Sequence, residues 1–135
     1  MILPILTLWL MLAGAPDCTS GALCSCAIRS PEISYARAEA VFVGVVTHAG
    51  EIGGEHGQPV TLRITRTWKG DSAENIVVHD AHPCGVVFQA GVEYLVYALR
   101  DQDGRLYTTF CARSRPLAQA AEDLRVLDGM TAADH

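Results

Sequence analysis

The chain has 135 residues, half of them hydrophobic, with ten Lys and Arg against fifteen Asp and Glu for a formal charge of −5. That length supports one small domain, and an acidic balance with no basic stripe argues against nucleic acid or any other polyanion as a partner. Five cysteines in so short a chain make the redox compartment the first question.

Residues 1–15 (MILPILTLWLMLAGA) form an apolar run too short to span a bilayer. Followed by the polar Asp17-Cys18-Thr19-Ser20, the run reads as a secretory leader rather than an anchor. The small residues Ser20 and Ala22 place cleavage after Ala22, so residues 1–22 are expected to be a signal peptide and Cys18 leaves with it. The mature chain then begins at Leu23 with ten bases and fourteen acids, a formal charge of −4. A secreted or periplasmic protein is expected, free of the membrane after processing and monomeric. Residues 23–129 are expected to form one domain and residues 130–135 a disordered tail.

Cys24-Ser25-Cys26 opens the domain, and two cysteines one residue apart do not readily pair with each other. Each needs a distant partner or a metal. With Cys84 and Cys111 they make four, a count that fits two disulfides in an exported domain, with three connectivities open.

Ser30-Pro31-Glu32 supplies an N-cap, a proline suited to the first helical position and an early acid, predicting a short helix to about Ala38. The β-branched run 40–46 predicts a strand, and Gly44 inside it predicts a bulge or bend. Residues 50–57, with Glu51, Glu55 and His56 among glycines, read as a mobile loop without a phosphate-cradle pattern. Residues 61–67 alternate with period two, placing Leu62 and Ile64 inward and Thr61, Arg63, Thr65 and Thr67 outward. A short strand is predicted at 75–79. Residues 92–99 and 106–110 form a hairpin around Asp101-Gln102-Asp103-Gly104. Pro116 opens a final helix in which Leu117, Ala121, Leu124 and Leu127 recur at helical spacing, with Gly129 as its stop. The fold class expected is all-β with flanking helices: a five-stranded antiparallel barrel with a short N-terminal helix and a C-terminal helix.

Several fragments occur in a fixed order: the Cys-x-Cys, Val41-Phe42-Val43-Gly44, Thr65-Arg66-Thr67-Trp68-Lys69-Gly70, Cys84-Gly85 followed by Phe88, and Asp103-Gly104 with Thr108 before Cys111. In this ordered set the chain resembles the N-terminal domain of tissue inhibitors of metalloproteinases, the netrin-like module, from Cys24 to roughly Leu127. The resemblance implies a five-stranded barrel of the oligosaccharide/oligonucleotide-binding type. It also implies a pairing of Cys24 with Cys84 and of Cys26 with Cys111.

In the family, the α-amino group and carbonyl of the first cysteine chelate the target protease's zinc at its open position. Carried over, Cys24 is the chelator and Ser25 points into the specificity pocket. Cys26, Ala27, His82, Pro83, Cys84 and Gly85 complete a contact ridge. Leu23, ahead of Cys24 in the expected mature chain, acylates the chelating nitrogen unless it is trimmed. The family's third disulfide and its cysteine-rich second domain have no counterpart in this sequence.

Three other readings compete. Cys24, Cys26, His82 and Cys84 could ligate zinc or copper, although thiols in an oxidising compartment are expected to be bridged. His79-Asp80-Ala81-His82 places its histidines on opposite sides of an extended chain and reads as a solvated loop. Trp68 reads as packing at the core or barrel rim. The chain holds no Gly-x-Ser-x-Gly, His-Glu-x-x-His, phosphate-loop or dinucleotide motif, so neither catalysis nor a bound cofactor is expected. The expected partner is a zinc metalloprotease or, alternatively, another extracellular protein bound without inhibition, since a fold does not dictate a function.

Overall fold

A computed structural model describes residues 24–133, so the expected leader lies outside the described residues. Helix α1 (Pro31–Arg37) starts as its sequence predicts, with Pro31 in the first turn and the Ile33 amide donating to Ser30 Oγ at 3.2 Å. Six strands follow: β1 (Ala40–Ala49), β2 (Gln58–Lys69), β3 (Asn75–Asp80), β4 (Glu93–Arg100), β5 (Leu106–Thr108) and β6 (Arg115–Pro116). Helix α2 (Ala121–Ala133) ends the described chain.

Strands β1 to β5 close a barrel in the order β1-β2-β3-β5-β4, with β4 returning to β1, and the two-residue β6 adds to the edge of β4. The expected barrel with flanking helices is therefore present. The expectation of a wholly antiparallel sheet needs one correction, because β3 and β5 run parallel where His79 faces Tyr107 and Asp80 faces Thr108. The pairings of β1 with β2, β2 with β3, β4 with β1 and β4 with β5 are antiparallel, and only the contact that closes the circuit, β3 with β5, is parallel.

The apolar run of β1 is explained by burial on both faces. Ala40, Phe42 and Val46 point into the barrel with Val60, Leu62, Val78, Val96 and Ala98. Val41 and Val43 point outward, where they pack with Leu95, Tyr97, Ala120 and Leu127 beneath the helices. Period two in β1 thus divides two cores rather than core from solvent. Gly44 lies beside a register irregularity with β2, and a Cβ there would stand 3.1 Å from both Leu62 Cβ and the Arg63 carbonyl.

The last helix departs from expectation at both ends. Pro116 pairs with Tyr94 in β6, a 3₁₀ turn spans Leu117–Gln119, and α2 begins at Ala121, so Ala120 rather than Ala121 is buried. Gly129 does not stop the helix. It has no positive φ, a Cβ there would meet nothing, and residues 130–133 of the expected tail continue the helical turn. A single exposed glycine costs a helix about 1 kcal/mol, too little to end one that Leu127 anchors in the core. Strand β5 is also shorter than predicted, because Phe110–Ala112 turns into a 3₁₀ helix that carries Cys111 toward Cys26.

Candidate protein-contact ridge

Two disulfides join Cys24 to Cys84 and Cys26 to Cys111, with Cα separations of 5.4 and 5.3 Å. Residues 25–30 belong to no helix or strand. The bridges therefore hold this segment on two different loops, one after β3 and one after β5. A third tie comes from Arg113, whose Nη1 donates to the Arg29 carbonyl at 2.8 Å. Ser25, Ala27 and Pro83 are exposed, and Cys24, Cys26, His82, Cys84 and Gly85 are half-buried beneath them. The Cys24–Cys84 bridge joins the two stretches singled out in the sequence, 24–27 and 82–85, and His82 also lines a groove with the loop 53–57. With their sulfurs bridged, Cys24, Cys26 and Cys84 are not available as thiolate ligands, which overturns the zinc or copper reading. Among the described residues no group of three or more His, Cys, Asp or Glu could hold a metal ion.

The floor of the ridge is Asp80, fully buried at the end of β3. Its carboxylate accepts from the Val86 amide at 2.8 Å and the Val87 amide at 3.0 Å, shaping the loop that carries Cys84. His82 Nε2 lies 3.3 Å from Gln58 Oε1 and 3.6 Å from Asp80 Oδ2, and the peptide before Pro83 is cis. The segment 79–82 is thus not the solvated loop expected. An acid closing an apolar strand before a proline-glycine loop was the available signal, since Asp side chains readily accept turn amides.

Gly85 is required by this floor. A Cβ on it would sit 2.6 Å from Asp80 Oδ2 and 2.8 Å from Oδ1, and Asp80 is held in place by two amides. Gly85→Ala should cost about 2 kcal/mol in urea unfolding, the scale of forced overpacking. A cost under about 0.5 kcal/mol, the range of an ordinary surface change, would show that the loop gives way freely.

Behind the ridge lies a buried charge network that the sequence did not reveal. Arg113 Nε and Nη2 donate to Asp123 Oδ2 and Oδ1 at 2.8 and 2.6 Å, and the Tyr97 hydroxyl donates to Oδ2 at 2.6 Å. Burial together with the hydrogen bond to Asp123 pushes the Tyr97 phenol far above its usual range. Arg113 adopts φ 77°, so the turn after Cys111 is bent to deliver its guanidinium both to α2 and to the ridge.

A groove of about 560 Å³ opens away from the ridge, and another of about 390 Å³ reaches it at His82. In the first, Arg100 Nε lies 3.8 Å from Glu39 and Arg105 Nη1 lies 3.1 Å from Asp103, so its cations are already engaged. The second lies between the loop 53–57 and the Asp101 turn, where the Arg105 amide first and the Asp103 amide next hold the Asp101 carboxyl below its usual range. Trp68 is half-buried at the rim, its Nε1 donating to Asp128 Oδ1 at 3.2 Å under the Arg66 guanidinium, as packing rather than as a platform. Among the described residues no helix is long and apolar enough to cross a membrane. In comparisons with known proteins, no family model and no characterised protein matches the chain.

Proposed function

We infer that the protein is an exported binding module acting through the surface built by residues 24–27 and 82–85, and that it presents this ridge to the catalytic zinc of an endopeptidase. The observation that carries the reading is the double clamp of Cys24–Cys84 and Cys26–Cys111, which fixes a short exposed segment on a barrel without ordering it by hydrogen-bonded structure. A ligand held rigid before binding loses little entropy on docking. The resemblance to the metalloproteinase inhibitors supplies the chemistry: a free Cys24 amine and carbonyl occupying the zinc's open position displace the water the protease must activate. Export is supported by the leader sequence and by the bridges, which persist in oxidising compartments.

The mechanism demands a chain that begins at Cys24, since a peptide nitrogen has no lone pair to donate. The intact mass and N-terminal sequence of the natively exported protein test this, together with inhibition of a panel of zinc endopeptidases at micromolar concentration. A chain beginning at Leu23 ends the amine-chelation reading. Leu23 itself favours the second reading, a protein-interaction module that uses the same ridge without inhibition. Should inhibition occur, Ser25→Arg is expected to change target preference at least about tenfold, or 1.4 kcal/mol. Arg63→Ala, on the exposed face of β2, should leave it unaltered. Equal effects would remove Ser25 from the contact.

A further inference from the structure

We propose that the flank of the ridge docks an extended acidic segment of the partner protein, seating an apolar side chain on Ile28 and Phe110 and carboxylates on Arg29 and Arg115. The proposal rests on the ridge being a protein-contact surface and names the chemistry of what it contacts.

Ile28 is 100% exposed and Phe110 is 42% exposed, an arrangement neither residue adopts for the sake of folding. The two line one groove of about 160 Å³ with Arg29, Arg113 and Arg115. Arg113 is committed to the Arg29 carbonyl and to the two acids that α2 brings to this groove, Asp123 and, at 4.0 Å, Glu122. Arg115 donates its Nε to the Arg113 carbonyl at 3.0 Å, and among the described residues no carboxylate lies within 4.0 Å of the guanidinium of Arg29 or Arg115. Nor does the local sequence supply one. The three segments that meet here, residues 24–31, 81–92 and 109–119, contain no Asp or Glu, although the chain carries fifteen. With both α2 acids held by Arg113, an arginine-bearing strip whose own three segments carry no acid, on a protein of charge −5, is complementary to carboxylates.

A protein segment fits better than other anions. The net charge repels a polyanion, only two guanidinia lack a carboxylate partner among the described residues, and the apolar Ile28 and Phe110 line the same groove. The groove is smaller than the several hundred Å³ that small-molecule sites usually offer, but it suits a few side chains of an extended chain.

The test uses a fluorescein-labelled peptide alternating Glu with Leu, its Lys-for-Glu counterpart, and the disulfide-bonded protein. The acidic peptide should bind at least about tenfold more tightly than the basic one, with affinity falling as salt screens the charges. Arg29→Gln/Arg115→Gln, which keeps the aliphatic stems, should weaken it about tenfold, and Arg63→Gln should leave it unchanged. Loss in the double variant with an unaltered melting temperature supports the proposal whatever the protease screen gives. Equal binding of the two peptides overturns it, as does full binding by the double variant or tighter binding of heparin fragments or anionic vesicles. If protease inhibition survives in the double variant while peptide discrimination is absent, the ridge stands and its acidic partner falls.

Discussion

Cys26→Ser/Cys111→Ser should lower the melting temperature by about 15 °C. The bridge closes a span of 85 residues, and loop-closure entropy assigns such a crosslink about 4 kcal/mol. In a domain of this size each kcal/mol moves the midpoint by about 4 °C. The companion bridge closes an overlapping span of 60 residues, so part of the constraint on the unfolded chain survives in the variant. Both cysteines are replaced so that no free thiol remains to exchange with Cys24 or Cys84. The ridge should loosen with the fold, since residues 25–29 would be tied by the Cys24 bridge, the Arg113 bond and their link to Ser30 at the start of α1. Calorimetry of the variant and the parent, both unreduced, decides the matter. A shift under about 3 °C, less than 1 kcal/mol on the same scale, would mean that the unfolded chain gains little freedom from the loss and that the bridge serves the surface alone.

What the sequence disclosed and what it hid divide along a physical line. The strands carried their own signals: β-branched runs in β1, alternation in β2, and an Asp-Gly turn between β4 and β5 whose Asp101 Oδ1 accepts the Asp103 and Arg105 amides at 2.9 and 2.8 Å. The bend at Gly44 was visible because only close approach calls for glycine inside such a run. Direction and partner in the sheet were not visible, since the parallel meeting of β3 with β5 depends on where the chain travels between residues 80 and 106. The cysteines show the same limit: their count left three pairings, and the one that the family resemblance implied is the one observed.

Charges were hardest to place. Asp80 reads as part of a solvated loop, and no sequence signal singles out Arg113 or Asp123, since polar side chains are usually exposed. Their burial depends on partners 6, 7, 10 and 26 positions away, brought together only by the finished fold. Ile28 and Phe110 depart in the opposite sense, as apolar residues left exposed outside the core.

Asp123→Asn is the second large effect, and its size depends on pH. In the native fold this carboxylate is fully buried and accepts from Arg113 and Tyr97. The variant presents an amide with one acceptor oxygen to three donors and leaves the mostly buried Arg113 only the exposed Glu122 carboxylate, 4.0 Å from Nη2, as counter-charge, a defect on the scale of 3 kcal/mol, roughly. Burial acts to raise the Asp123 pKa, but the Arg113 and Tyr97 hydrogen bonds outweigh it and hold the carboxyl below its usual range. A depressed carboxyl favours the folded state wherever it is ionised. Its stabilisation is therefore complete above the unfolded value of about 3.9 and is lost as pH falls through the lower folded value. Urea unfolding of parent and variant at neutral pH should show the full deficit. The same pair near pH 2, roughly two units below that reference, should show a smaller one, because the parent has begun to lose what the variant never had. The same deficit at both pH values would mean that folding does not depress the Asp123 carboxyl, and one under about 1 kcal/mol at neutrality would mean that the Arg113 charge reaches water once its partner is gone. The tie from Arg113 to the Arg29 carbonyl would then be too loose to hold the ridge.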